Sequence, residues 1–389
     1  MDEPSVTESE AAELLAELIS FDSLNPPGRE AACAEFIVEW LTDAGIDAEL
    51  VLEPYPDRPQ VVATIGDGDG DCDHLVLNGH IDVVPAGDRD RWSVDPFEGV
   101  VDDGRVYGRG ASDMKSGLAA AMLAAREAAN DRLEGTLTLT FAIGEETAEP
   151  GTKTLVSDLD ADHGIVLEPT ELEVQTVGKG LAWYAAQIAG EAGHASRPHT
   201  GNNAVDALLE FGECLEDYRS EIADRTHPLI GASLCTPTMV DGGTKENVLA
   251  ELVELRFDRR FLPSESLADI DQEMNDLFEP IRDQGFDVTV ERTRTYEAAE
   301  IPTDAPIAET VRSHAAMVAG APTEPAGKEA ATDQRNLVND AGIPTIIWGP
   351  GTPTQAHTVD EWARIDLLVD AVDVLCRTIT ERCSRTENS

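Results

Sequence analysis

A chain of 389 residues with 41% hydrophobic content is long enough for two domains, each with its own core. Its 76 acidic residues against 28 basic ones give a formal charge of −48, distributed along the whole length. Such a field excludes the electrostatic footprint of a protein that binds nucleic acid or an anionic membrane.

The chain opens with Thr7-Glu8-Ser9-Glu10, which has capping-box spacing, and Leu14, Leu15, Leu18 and Ile19 continue it as a helical stripe. A second stripe, Cys33, Phe36, Ile37, Trp40 and Leu41, stops near Gly45. Strands are predicted over 48–52, 60–65 and 74–82, with the acidic Gly66–Asp71 stretch between the last two as a solvated turn. An Ala-rich helix over 115–129, a strand at 136–144, a short helix near 152–159 and the strand GIVLE complete an alternating α/β segment.

From about 178 the pattern changes. Two strands across 178–194, a helix over 203–222, two strands across 232–260, a helix near 266–283 and a strand at 286–296 predict a ferredoxin-like α+β module with its helices on one sheet face. Alternation then resumes, with helices at 305–319 and near 333–340, the strand IPTIIW and a long helix from 361. The economical reading is an α/β domain formed by 1–177 and 298–389, interrupted by a second domain over 178–297.

Only five of the basic residues are lysines, an acid-rich, lysine-poor balance that resembles proteins of salt-in halophiles. The six cysteines show no CxxC spacing and read as free thiols of a reducing compartment. The segment MDEPSVTESE lacks the apolar core of a signal peptide, and no apolar run reaches membrane-spanning length. These features predict a soluble, cytoplasmic protein.

Chemistry gathers where strands end. LVLNGHIDVVP closes a strand on His80 and Asp82, which alternation places on one face. GRGASDMKSG sets Asp113 before a helix, FAIGEETAEPG puts Glu145 and Glu146 after a strand, GIVLEPT does so for Glu168, and GPGTPTQAHTVDEW carries His357. In open α/β sheets ligands bind at strand ends. Taken singly, each residue reads as an ordinary polar group: a cap, a solvated turn or a surface histidine. The joint pattern carries more, because two of only eight histidines fall in such loops. Two imidazoles and several carboxylates are the donor inventory of a two-metal centre.

The motifs GHIDVVP, GRGASDMKSG, GEE, LEPT, GHASRPHTGNNA, ENVLAELVELRFDRR and GPG…AHTVDE together resemble a family of dimetal amidohydrolases and peptidases. That family includes acetylornithine deacetylase, succinyl-diaminopimelate desuccinylase, aminoacylase and glutamate-releasing carboxypeptidases. The resemblance implies a zinc-peptidase-like catalytic domain with an inserted lid and dimerisation domain. It implies two divalent ions (zinc, cobalt or manganese), one held by His80, Asp113 and Glu168, and a second held by the bridging Asp113 with Glu146 and His357. It further implies Glu145 as general base and Asp82 as the group whose hydrogen bond orients His80. By the same resemblance the Asp113–Met114 peptide is cis and His194 stabilises the oxyanion in the partner subunit of a homodimer. Asn247 and Arg260 would contact substrate, and Gly349 and Gly351 would shape the pocket floor where substrate nears the backbone. Arg259 should point to the opposite strand face from Arg260. His199 reads as structural or solvated.

The implied reaction is hydrolysis of an N-acyl amino acid or short peptide, and Glu168-Pro169-Thr170 leans toward the deacetylase and desuccinylase branch. A dipeptidase or carboxypeptidase is the rival within the family. A metal-binding relative without catalysis is the rival outside it.

Overall fold

The computed structural model describes residues 6–66, 72–130 and 133–384, so most of the Gly66–Asp71 turn lies outside the described residues. The chain divides into two compact units, one formed by Met1–Val177, Glu300–Gly327 and Thr332–Ser389, the other by Gly178–Ala299 with Lys328–Ala331. Among the described residues no helix is long and apolar enough to cross a membrane. All six cysteines are free.

The first unit is built on a mixed sheet that runs Asp47–Val51, Gln60–Ile65, Thr136–Ala142, His74–His80, His163–Val166, Thr345–Ile347. The last four of these strands are mutually parallel. Their near-continuous burial is the pattern expected of strands covered on both faces. The Ser116–Ala129 helix is buried through its first ten residues, half of them alanine, which lets the Glu8–Ser20 and Ile365–Cys383 helices pack closely beside it. At the start of the first helix Thr7 Oγ1 accepts from Glu10 N at 3.3 Å, but the Glu10 carboxylate pairs with Arg126 instead of closing the capping box.

Two sequence expectations shift. The C-terminal helix begins at Ile365 and not at 361, because Trp362–Arg364 pairs with Arg105–Tyr107 in a small three-stranded sheet whose strands are too short to show a periodicity. The helix near 333–340 shortens to a single wide turn, Asn336–Asp340.

The second unit has an antiparallel four-stranded sheet in the order Leu234–Gly242, Leu252–Phe261, Gly180–Ala189, Asp287–Tyr296. One ten-residue strand, Gly180–Ala189, replaces the two expected across 178–194, which gives the β-α-β-β-α-β order of a ferredoxin-like fold. Burial alternates along Leu252–Phe261, so one face meets the Ala204–Ala223 and Leu267–Asp276 helices. Phe211 stacks on Phe278 with centroids 4.2 Å apart, and Phe257 meets both edge-on, each such pair adding about 1 kcal/mol to area burial.

Candidate active site

The four parallel strands of the first unit deliver their carboxyl ends to one edge. His80 is the last residue of its strand, Glu145 and Glu146 follow Ala142 in a turn, Glu168 lies two residues past Val166, and His357 lies in the loop after Ile347. Asp113 arrives from Ala111–Lys115, a wide turn that leads into the buried alanine helix. Gly110 opens that turn at φ +84°, where a Cβ would lie 2.5 Å from Val83, so only glycine fits. The Asp113–Met114 peptide is cis. His357 has a φ of +63°, sparsely populated for a residue with a side chain and often associated with functional loops.

Asp113 stands between the two imidazoles. Its Oδ1 is 3.4 Å from His80 Nε2 and its Oδ2 is 3.3 Å from His357 Nε2. His357 Nε2 also lies 3.2 Å from Glu146 Oε1. Donor atoms of His80, Glu145 and Glu168 fall within 4.8 Å of one another, and so do those of Asp113, Glu146 and His357.

These separations exceed the ~2.7–2.9 Å of charge-assisted hydrogen bonds. Asp113 Oδ1 is buried and accepts no hydrogen bond. Two imidazoles and four carboxylates converge on the space between them, a nitrogen and oxygen set suited to borderline divalent ions. The residues fit two such ions.

The electrostatics agree. Burial raises Glu145 well above the usual carboxylate range, and Asp333, Glu168 and Glu146 raise it further. Burial likewise raises Glu146. Burial works against the charged form of His80, but Asp113, Asp82 and Glu145 outweigh it and hold its pKa well above that of free imidazole. Hydrogen bonds donated to the Asp113 and Glu146 carboxylates raise His357 to about 10. Asp113 is pushed up by burial, yet the imidazoles of His357 and His80 beside it leave it below the ordinary aspartate value. The protein thus concentrates negative charge in a buried place and uses protons to balance it, which a divalent cation would displace.

The role expected of Asp82 divides between two of its groups. The Asp82 carbonyl oxygen, not the carboxylate, lies 2.8 Å from His80 Nδ1, whereas Oδ1 is 3.7 Å away. A carbonyl can only accept, so Nδ1 carries a proton, and Nε2, facing Asp113, is the nitrogen that a metal would take once its own proton leaves. The fully buried carboxylate turns to the next strand end and accepts from Glu145 N at 3.3 Å, Glu146 N at 3.2 Å and Asn25 Nδ2 at 3.0 Å.

Glu361, which no local pattern in the sequence distinguishes, organises the Asp113 turn. One carboxylate oxygen accepts from Ser112 N at 2.9 Å and Asp113 N at 3.1 Å, and the other from Gly110 N at 3.1 Å and Arg109 Nη1 at 2.5 Å. Asp333, within TDQRNL, is also buried; it accepts from Thr152 Oγ1 at 2.6 Å and Asn336 Nδ2 at 3.0 Å. Acidic residues are common everywhere in this chain, so neither residue stands out by its type.

Gly349 and Gly351 each lie against the backbone of a neighbouring loop. A Cβ on Gly349 would come within 2.6 Å of Leu167 O and 2.7 Å of Glu168 O, and one on Gly351 within 2.2 Å of Ser112 O. The close approach they permit is therefore of protein on protein. They let the loops carrying Glu168, Asp113 and His357 touch.

His194, Asn247 and Arg260 belong to the second unit. His194 is exposed and its Nδ1 accepts from Ser196 N at 3.1 Å, while Asn247 O accepts from Ala195 N at 3.0 Å, so these two lie side by side. His199 is exposed in a short 3-10 turn. Arg259 is fully buried against Tyr218 and Glu265, and Arg260 faces the other way, paired with Asp258 at 2.8 Å.

The model of peptidase family M20/M25/M40 matches residues 76–381. A probable succinyl-diaminopimelate desuccinylase of Staphylococcus epidermidis is 28% identical over 401 residues, covering 95% of this chain and 96% of the relative. Acetylornithine deacetylase of Pasteurella multocida is 30% identical over 363 residues, covering 90% and 91%. Among solved structures, a tripeptidase of Staphylococcus aureus superposes with a TM-score of 0.79 at 22% identity, covering 97% of this chain and 99% of that one; at that identity it speaks for the fold alone. A family match across more than three quarters of the chain, with both histidines and the carboxylates among the matched residues, identifies the chain as a member of peptidase family M20/M25/M40, metal-binding hydrolases of amide and peptide bonds.

Proposed function

We propose that this protein hydrolyses the amide bond of an N-acyl amino acid, releasing a free amine and a carboxylate. The observation that carries the reading is Asp113 offering one oxygen to each imidazole, with Glu145 beside them. His80, Asp113 and Glu168 would hold one divalent ion and Asp113, Glu146 and His357 the other, with zinc, cobalt and manganese as candidates. Bound there, the pair would lower the pKa of a shared water and polarise the scissile carbonyl.

Glu145 takes the proton of the attacking water on its carboxylate and later delivers it to the departing amine nitrogen. Its raised affinity for protons, from burial and neighbouring carboxylates, suits a group that must hold a proton between those two steps. His194 of the partner subunit in a homodimer donates toward the oxyanion, and closure of the second unit as a lid excludes water. Arg260 binds a substrate carboxylate, and Asn247 also contacts the substrate. Against a net charge of −48 an anionic substrate gains nothing from long-range steering, so local cations must capture it.

The names of the two relatives favour acetyl or succinyl groups on an amino acid. Short peptides are the second reading, because the family is one of peptidases. The test is amine release from N-acetyl, N-succinyl and dipeptide substrates in high salt with added Zn²⁺ or Co²⁺, with Glu145→Ala as control. Turnover of one class, lost in the variant with metal retained, supports the reading and selects the branch. Full activity of Glu145→Ala would refute the assignment of the base, and metal binding without turnover of any class would favour a binding protein.

A further inference from the structure

The turn that carries Glu145 and Glu146 is held from two sides. At its start, Asp82 accepts both backbone N–H groups. At its end, Glu149 N donates to Gly144 O at 2.8 Å and the Glu149 side chain folds over Gly144, whose missing Cβ would sit 2.5 Å from that of Glu149. One side chain spans the two anchors. Asn25 Nδ2 lies 3.0 Å from Asp82 Oδ2, 2.7 Å from Thr147 Oγ1 and 3.2 Å from Glu149 Oε2.

Asn25 is itself fixed. It is 4% exposed, its N donates to Val83 O at 2.9 Å, and Val83 N donates to Ser23 O at 3.0 Å. Behind it stands Arg58, whose Nη1 reaches Glu149 Oε1 at 2.9 Å while its Nε reaches the buried Glu30 at 3.0 Å. The Arg58 guanidinium in turn lies against Gly28, where a Cβ would sit 2.5 Å from Nε. A neutral amide is the group this position calls for. Its two N–H protons serve the Thr147 hydroxyl and the carboxylates of Asp82 and Glu149, where an acid would add a third negative charge and a hydroxyl would offer only one proton.

We propose that Asn25 is a positioning residue for the turn bearing Glu145 and Glu146, acting through Asp82 on one side and through Glu149, clamped by Arg58, on the other. It rests on the reading of Glu145 as base and Glu146 as metal ligand. Without the amide, Asp82 Oδ2 keeps only the long Glu146 N–H bond, and the side-chain link from Asp82 to Thr147 and Glu149 is lost. A carboxylate misplaced by about 1 Å costs roughly a hundredfold in rate, and loss of a group that orients a ligand roughly ten- to a hundredfold in metal affinity.

The test is a double-mutant cycle on the full-length, metal-stripped protein with Asn25→Ala, Glu149→Ala and both together. It is read by Co²⁺ titration of the visible d–d spectrum and by kcat and KM of the Co²⁺-loaded enzyme. Each single variant is expected to weaken the second Co²⁺ step roughly tenfold and lower kcat roughly tenfold, with KM within about twofold. The double variant should fall within about twofold of the worse single one, because both break the same span. Additive losses of roughly a hundredfold would overturn the proposal. So would a fall in Tm alone, with Co²⁺ affinity and spectrum unchanged, as expected of the core control Val311→Ala. If Glu149→Ala does not fold, Glu149→Gln runs the same cycle. A wild type that binds two Co²⁺ but hydrolyses nothing would sink the functional reading, while the Co²⁺ arm still decides the role of Asn25.

Discussion

Replacing Glu361 by glutamine tests whether the Asp113 turn owes its shape to one buried carboxylate. The carboxylate serves four donors with two oxygens: Ser112 N and Asp113 N on one, Gly110 N and Arg109 Nη1 on the other. Glutamine has one acceptor oxygen, and its NH₂ group must face one of those pairs donor to donor. In either orientation two donors lose their acceptor, and Arg109, 2% exposed, loses its counter-ion. Breaking a buried ion pair from one side costs about 3–5 kcal/mol, and a stranded buried N–H about 1–3 kcal/mol. The two overlap at this site, so we expect about 4 kcal/mol. For a cooperative unit of this size each kcal/mol lowers Tm by about 2–4 °C, so the metal-free protein should melt about 10 °C lower. The same change should weaken Co²⁺ binding roughly tenfold, because Asp113 N is one of the released donors. Thermal denaturation of the metal-free protein and a Co²⁺ isotherm check both. A Tm within about 2 °C of wild type, with unchanged Co²⁺ affinity, would refute the reasoning.

Gly351→Ala places a Cβ 2.2 Å from Ser112 O and should separate the loops that carry Asp113 and His357; we expect a loss of about 1–3 kcal/mol by denaturant titration and weaker Co²⁺ binding, whereas Gly231→Ala, with open space around it and outside the site, should leave Co²⁺ affinity unchanged. His357 is raised to about 10 and His80 well above free imidazole, so both carry protons at pH 7 in the metal-free protein. Metal needs the neutral rings, so affinity is lost as pH falls and gained as it rises toward 10, and calorimetry in buffers of different ionisation enthalpy should find about two protons released as the site fills. A net charge of −48 makes folding depend on screening: the Debye length shrinks from about 10 Å at 0.1 M salt to about 3 Å at 1 M, so Tm should climb steeply over that range. A flat Tm would show that the surface charge is not stressed at low salt.

The loops of the site were legible in the sequence because histidine is scarce in this chain and each histidine or carboxylate followed a recognisable apolar run. His80 at a strand end and Glu145-Glu146 after another strand needed only local periodicity. What escaped is what connects distant segments. Glu361 serves Asp113 across 248 positions, and nothing local separates it from any other acid among 76. The roles of Gly349 and Gly351 depend on which backbone arrives opposite them, which sequence does not state. Alternation correctly put His80 and Asp82 together, but it speaks only of side chains, and the bond that orients the imidazole comes from a main-chain oxygen. The ferredoxin-like unit was legible as a pattern of strands and helices. Its first strand was overcounted because Gly190 and the polar residues after it continue an apparently extended stretch.

The catalytic unit is discontinuous in sequence, and this imposes an order on its birth at the ribosome. The Thr345–Ile347 strand docks beside His163–Val166, so nascent chains that lack it hold an apolar strand with one side unpaired. Throughout synthesis of residues 178–299, which form a unit with its own core, the first half of the sheet must wait with that edge open. The donor set stays incomplete until His357 emerges, so metal cannot reward the early half for folding. A heavily charged chain suits this interval, because mutual repulsion keeps waiting copies apart.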